Sequence, residues 1–311
     1  MTIALEGGSI VNLGNFEEIE NISKYLESKK LSVENRKSLQ IGLRVNFNLE
    51  ELCPGETTSG NSVSRFGFCI ENCELQKAVE SLHEMGLKIS GLHMHYSTIT
   101  RSNSVFKCLA QKACEVAYKY NIKEEIKYID MGGGFWGGNH SDRYPSPQQY
   151  AKQITAILKE TFDPKTVNLI IEPGTSILAT EMDYHCKVTS VKYIRNVRVI
   201  TTDGTTLHIN PLQAKRKPNY DVRCTSEKSF SGKQIICGNT CMENDRFFET
   251  ENEIIFSVGD ELIFRYTGAY TIGFNSCFIH APPRVYVSSE QDGHETLTCI
   301  RMRNSRLMMN C

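Results

Sequence analysis

Long apolar runs, an excess of either charge and closely paired cysteines are all missing from this sequence, and each absence removes a class of protein. No stretch of about 18 consecutive apolar residues occurs, so no segment reads as a membrane-spanning helix. Thirty-five basic residues against thirty-six acidic ones leave a net charge of -1, so no global field draws the chain to nucleic acid, to a membrane surface or to an acidic partner. The nearest cysteine pairs, Cys69/Cys73 and Cys237/Cys241, are spaced C-x3-C instead of the C-x2-C of zinc ribbons, and the twelve cysteines are otherwise scattered. The first twenty residues lack a basic segment leading into an apolar one. These features lead to an expectation of a reducing cytoplasm with free thiols, no resident metal, and a small-molecule partner. Internal repeats and low-complexity tracts are absent too.

What is present is a 311-residue chain, 40% hydrophobic and 23% charged, with room for one large domain or two ordinary ones. Over residues 1–180, short apolar runs alternate with amphipathic stretches, which predicts parallel βα units. Strands are expected at Ser9–Leu13, Leu39–Asn46, Leu87–His95, Ile126–Met131 and Val167–Glu172, and helices at Asn15–Ser28, Glu71–Met85, Ser104–Tyr120 and Pro147–Glu160. Residues 181–311 change to β-type runs, predicting a mostly antiparallel C-terminal β domain with strands at His185–Tyr193, Arg198–Thr202, Gln234–Cys237, Glu261–Tyr266 and Arg284–Val287. Gln213–Lys233, rich in Lys, Arg and Ser, is expected to be an exposed connection. The fold class is therefore α/β plus β. Two architectures fit the first part: about five of the eight units of a (βα)8 barrel, which takes about 250 residues in full, or an open five-strand sheet.

Chemistry-bearing residues gather where strands end. Gly132, Gly133 and Gly134 follow the fourth expected strand; without Cβ atoms they could let backbone N–H groups converge on a phosphate, or could simply form a flexible turn. Glu172 ends the fifth strand, just before Pro173 and Gly174, and reads either as a carboxylate facing the nitrogen of a pyridine ring or as a strand-end residue that caps a helix or pairs with a surface arginine. His93 and His95 share one side of the third strand by parity, open to metal binding, to stacking on a flat cofactor or to a core role. Downstream, Cys241 lies in a Gly- and polar-rich cluster, where a thiol can act as general acid or nucleophile or be a small buried hydrophobe.

Eight segments in order, ALEGGSIVNLGNFEEIE, IGLRVN, SRFGF, GLHMHYST, IDMGGGF, IEPGTS, CGNTCMEND and TGAY, resemble the pyridoxal-phosphate (PLP) dependent decarboxylases of diaminopimelate, ornithine and arginine. That resemblance implies an alanine-racemase-like barrel with a C-terminal β domain, PLP as cofactor, and release of CO2 from an amino acid through a quinonoid intermediate. It implies that His95 stacks on the ring, that Thr98, Gly132, Gly133, Gly134, Gly174 and Tyr270 lie on the phosphate side, and that Glu172 meets the pyridine nitrogen. Cys241 corresponds to a cysteine given by the partner subunit to protonate the product, Met242 and Glu243 lie where the substrate's far end is held, and Arg65 and Asp245 match a charged pair across a head-to-tail homodimer. Two positions depart from the pattern: Thr175 stands where the family has an arginine after Glu-Pro-Gly, and Met242 where it has a carboxylate.

The family's barrel opens with a strand bearing the Schiff-base lysine, and the first residues here align with its fourth strand. The expectation is a decarboxylase without its lysine segment, or, in a second reading, a non-catalytic homologue that dimerises with a true decarboxylase and regulates it.

Overall fold

Strand order decides between the two architectures. The computed structural model describes residues 1–57, 63–136, 145–211, 218–224, 229–251, 253–274, 278–291 and 294–302. The chain divides into two compact units, Met1–Ser176 and Ile177–Cys311.

The first unit runs α1 (Thr2–Glu6), β1 (Val11–Leu13), α2 (Phe16–Lys29), α3 (Val33–Arg36), β2 (Ile41–Asn46), α4 (Leu49–Leu52), β3 (Phe68–Cys69), α5 (Glu74–Glu84), β4 (Ile89–His93), α6 (Asn103–Lys119), β5 (Tyr128–Asp130), α7 (Pro147–Leu158) and β6 (Asn168–Ile170). A last short helix, α8 (Thr175–Leu178), crosses into the second unit. Every strand pair here is parallel, in the order β1-β2-β4-β5-β6 with the two-residue β3 beside β2. All five expected strands are thus present and lie in sequential order. A doubly wound sheet reverses its order at a switch point, whereas a barrel wall does not. The sequential order is that of part of a barrel wall.

Local chemistry sets the helix starts. The Asn15 side chain accepts from Glu18 N at the start of α2, Ser102 caps α6, and Ser146 with Gln149 forms a reciprocal capping box ahead of Pro147 on α7. On α2, Ile19, Ile22, Tyr25 and Leu26 recur at helical spacing and are buried against the sheet. The strands β4 and β5 are buried throughout, as a sheet covered by helices requires. On the sheet, the Tyr128 ring extends from β5 across β4 and β2, and its hydroxyl donates to Asn12 Oδ1 on β1 at 2.6 Å. Gly42 and Gly91 make that path possible, since a Cβ on either would collide with Tyr128.

The second unit holds β7 (Tyr184–Ile194), β8 (Val197–Thr202), β9 (Tyr220–Arg223), β10 (Lys233–Cys237), β11 (Arg246–Glu251), β12 (Glu261–Phe264), β13 (Val285–Gln291) and β14 (His294–Arg301). Six of them form one sheet, β11-β10-β8-β7-β12-β9, antiparallel except for the β8/β10 pair, while β13 and β14 form a separate antiparallel pair. Its core contains Val188, Ile200, Ile236, Phe248, Leu262 and Phe264. The expected exposed connection Gln213–Lys233 needs correction. Within it Tyr220–Arg223 pairs with β12, and Tyr220 stacks on Phe248 with ring centroids 4.1 Å apart; the surrounding Lys, Arg and Ser residues hid this apolar alternation. Positions 213–217 and 225–228 of that stretch lie outside the described residues. Among the described residues no helix is long and apolar enough to cross a membrane.

Candidate active site

Parallel register assembles the site. Arg44, the fourth residue of β2, is paired with His93 at the end of β4, and His93 with Asp130 at the end of β5. Paired residues of parallel strands share a face, so three polar side chains form one row at the C-terminal rim of an apolar sheet. Glu172, two residues past β6, joins the row: His93 Nε2 is 3.9 Å from Glu172 Oε2, and His93, Asp130 and Glu172 each bring one polar atom to within 4.8 Å of the others.

The row sets one guanidinium, Arg44, against two carboxylates, and it runs from buried His93 and Asp130 to Glu172, whose side chain is 52% exposed. Burial pushes the His93 imidazole down to about 4, helped by the positive Arg44, so His93 is neutral at pH 7. Burial also lowers His95, and it raises Asp130 and Glu172 above the usual carboxylate range against the opposing pull of Arg44. Arg44 is itself lowered by desolvation and held up by Glu172, Tyr96 and Asp130. Its Nε and the His93 Nε2 are buried with no hydrogen-bond partner among the described residues. A neutral histidine with two carboxylates is also a donor set for a divalent cation, but the guanidinium disfavours a second positive charge.

The glycine turn is built onto this row. Asp130 Oδ1 accepts from Gly132 N at 2.8 Å, Gly133 N donates to His95 Nδ1 at 3.0 Å, and Glu172 N donates to Gly132 O at 2.8 Å. Gly132 and Gly134 have φ of 66° and 87°. A Cβ on Gly132 would run into the His95 ring, and one on Gly133 would sit 2.6 Å from Glu172 O. The N–H groups of Gly132 and Gly133 are engaged inside the turn, on Asp130 and His95, so of the three glycines expected on the phosphate side it is Gly134 whose N–H is not used in these contacts. Phe135 then anchors the segment, stacked on Phe106 with centroids 4.3 Å apart and edge-on to Tyr150.

His95 lies beyond the end of β4, which stops two residues earlier than expected, with its ring 6.2 Å from that of His93, centroid to centroid. Thr98 is half-buried and bridges Thr57. Gly174 is exposed ahead of α8, and Thr175 is buried. Arg65 is exposed, its guanidinium 4.6 Å from the Phe66 ring centroid. In the second unit, Tyr270 is 54% exposed with φ 62°, in a turn whose Gly268 N donates to Ala179 O. Cys241 and Glu243 are exposed and Met242 half-buried, on a loop pinned by Asp245. The Asp245 carboxylate accepts from the backbone N and hydroxyl of both Thr206 and Thr240. Burial pulls that carboxyl up, yet these hydrogen bonds outweigh it and hold it below its ordinary value. Sequence reasoning passed over Arg44 and Asp130; a charged residue inside each of the apolar runs IGLRVN and YIDM was the available signal.

Comparison with known proteins gives the family and the fold. Residues 1–179 match the family model described as pyridoxal-dependent decarboxylase, pyridoxal binding domain, and the chain belongs to that family. It is 26% identical over 305 residues to a probable chloroplastic diaminopimelate decarboxylase of Oryza sativa, covering 94% of this chain and 59% of that protein. It is 24% identical over 322 residues to the diaminopimelate decarboxylase of Bacillus methanolicus, covering 99% and 72%. The chain thus spans about three fifths of the length of the rice relative. The crystal structure of M. jannaschii diaminopimelate decarboxylase in complex with L-lysine has the same fold, with a TM-score of 0.76 at 21% identity, over 99% of this chain and 70% of that one. The arginine decarboxylase of Paramecium bursaria Chlorella virus also superposes, with a TM-score of 0.66 at 16% identity over 87% of this chain and 68% of that one. The chain therefore carries the fold of the PLP-binding decarboxylases, and PLP is the family's cofactor.

Proposed function

We propose that the full-length protein is a cytoplasmic PLP-dependent amino-acid decarboxylase of the diaminopimelate type, working as a head-to-tail homodimer with shared active sites. One observation carries this reading. The Gly132–Gly134 turn, His95 and Glu172 are joined by direct backbone and ring contacts into a single shelf at the strand ends. The residues present fit the cofactor: the glycine turn packs directly on the His95 ring and the Glu172 backbone and so fixes both side chains at the strand ends, and among the described residues the buried His93 Nε2 beside Glu172 has no hydrogen-bond partner.

PLP, when bound, supplies an electron sink for the bond that breaks as CO2 leaves. The chain's own residues bind and orient. Glu172, its carboxylate near Arg44, would hold a proton at the pyridine nitrogen, and the flat, neutral His95 would offer a face for stacking. In the first unit, Thr98, Gly134 and Gly174 would hold the phosphate. Thr175, with no guanidinium, contributes at most a neutral hydrogen bond there, about half the strength of a charge-assisted one. Cys241 delivers a proton to the carbon that has lost CO2, and Met242 and Glu243 face the far end of the substrate. Arg65 is exposed and available to a dimer interface, whereas Asp245 is buried with both carboxylate oxygens accepting from Thr206 and Thr240, so its expected pairing with Arg65 across that interface is not part of this reading.

The test is release of labelled CO2 from diaminopimelate, lysine, ornithine and arginine by the full-length gene product with PLP. Turnover of diaminopimelate, reduced at least 100-fold in Glu172→Ala, is expected. Release from none of the four amino acids overturns the reading.

A further inference from the structure

Two thiols far apart in sequence meet in the first unit, away from the rim. Cys53, just past α4, donates to Cys108 on α6 with the sulfurs 3.1 Å apart, across 55 positions of chain. Cys53 is buried and Cys108 half-buried, and both are free thiols. The segment that bears Cys53 is also tied to the stretch that leads into α6. Ile99 N donates to Glu56 O at 2.9 Å, Thr100 N and Oγ1 donate to the Glu56 carboxylate, and Thr57 bridges Thr98. Any bond between the two sulfurs would therefore close a ring around Thr98–Ser102.

We propose that Cys53 and Cys108 are a redox-modification site, forming a reversible disulfide when the protein meets a peroxide and so locking the α4 segment to α6 around Thr98.

The two cysteines divide the chemistry. Burial, reinforced by the hydrogen bond with Cys108 and by Glu56 and Glu50, pushes the Cys53 thiol up to about 12, so Cys53 is a poor first nucleophile. Half-buried Cys108 attacks one peroxide oxygen; the O–O bond breaks, one water leaves, and Cys108 becomes a sulfenic acid. The Cys53 sulfur, already in contact, attacks that sulfur. The S–O bond breaks, and the Cys53 proton departs with the hydroxyl as a second water. Two thiols lose two electrons and two protons in all, and hydrogen peroxide is reduced to two waters. A thiol reductant reverses the step. Neither partner belongs to the proposed cofactor shelf, so this inference stands or falls separately from the decarboxylase reading.

The experiment treats the intact chain with hydrogen peroxide, blocks remaining thiols with N-ethylmaleimide and maps peptides by mass without reduction. A Cys53–Cys108 linked peptide is expected, lost in Cys53→Ser and in Cys108→Ser, retained in Cys73→Ser, and removed by dithiothreitol. Amide exchange at Ile99 and Thr100 slows on oxidation. Because the map of the unmutated chain is decisive alone, a poorly folding variant does not spoil the test. If Cys53 and Cys108 are both still alkylated once exposed Cys73 and Cys241 have been oxidised, or if Cys108 is found joined to any other cysteine, the proposal is wrong.

Discussion

The backbone N–H of Gly133 donates to Nδ1 of His95 at 3.0 Å, so that ring nitrogen is committed as an acceptor and the imidazole proton sits on Nε2. The contact fixes both the tautomer of His95 and the path of the glycine turn. It exists because Gly132, at φ 66°, carries no Cβ to separate the turn from the ring.

Gly132→Ala therefore has two costs: a left-handed backbone that alanine resists, and a methyl group driven into His95. A loss of about 2 kcal/mol in unfolding free energy, read by urea denaturation, is the expected outcome. Gly174→Ala is the control, because a Cβ there meets nothing within 4 Å, and it should change stability little.

His93 should make stability depend on pH. Its folded pKa, about 4, lies below the ordinary value near 6.5, so the unfolded chain binds more protons between these values. Its contribution is complete above about pH 6.5 and is lost as pH falls towards 4, about 3 kcal/mol in all for this nearly buried side chain. Asp130 and Glu172, raised by burial, act in the opposite sense as they take up protons. The informative quantity is thus the difference between the parent and His93→Gln, measured by chemical denaturation from pH 4 to 7. A difference that does not vary with pH would show His93 to be ordinarily solvated.

Tyr128→Phe removes the donor to Asn12 Oδ1 and leaves the ring in place between Gly42 and Gly91. A cost of about 1–2 kcal/mol is expected. Combining it with Asn12→Ala should cost clearly less than the sum of the two single changes in a double-mutant cycle.

Asp245→Asn takes away one of two acceptor oxygens beneath the Cys241 loop, each of which accepts from a threonine N–H and hydroxyl. About 2–3 kcal/mol of stability should be lost at pH 7. Since the folded pKa of Asp245 is depressed, its contribution is present above about pH 4 and disappears as pH falls through the folded value. The variant should lack that acid-side loss in a thermal melt series.

Local sequence determined the principal strands and helices of the first unit, β1, β2, β4, β5 and β6 with α2, α5, α6 and α7, while β11 and β14 of the second unit went unread. Apolar alternation and capping residues such as Asn15, Ser102 and Ser146 act within a few positions of themselves. The same locality made β9 hard to see, because its few apolar residues sit among Lys, Arg and Ser and only pairing with β12 gives them a core to face. His95, the glycines and Glu172 stood out through motif chemistry at strand ends. Tertiary structure alone decided that Arg44 and Asp130 stand in one row with His93, that Tyr128 reaches Asn12 across 116 positions, and that Cys53 touches Cys108. Those relationships follow from the register between parallel strands joined by long crossovers. Register is set by the packing of the whole sheet against its helices, which no short window of sequence contains.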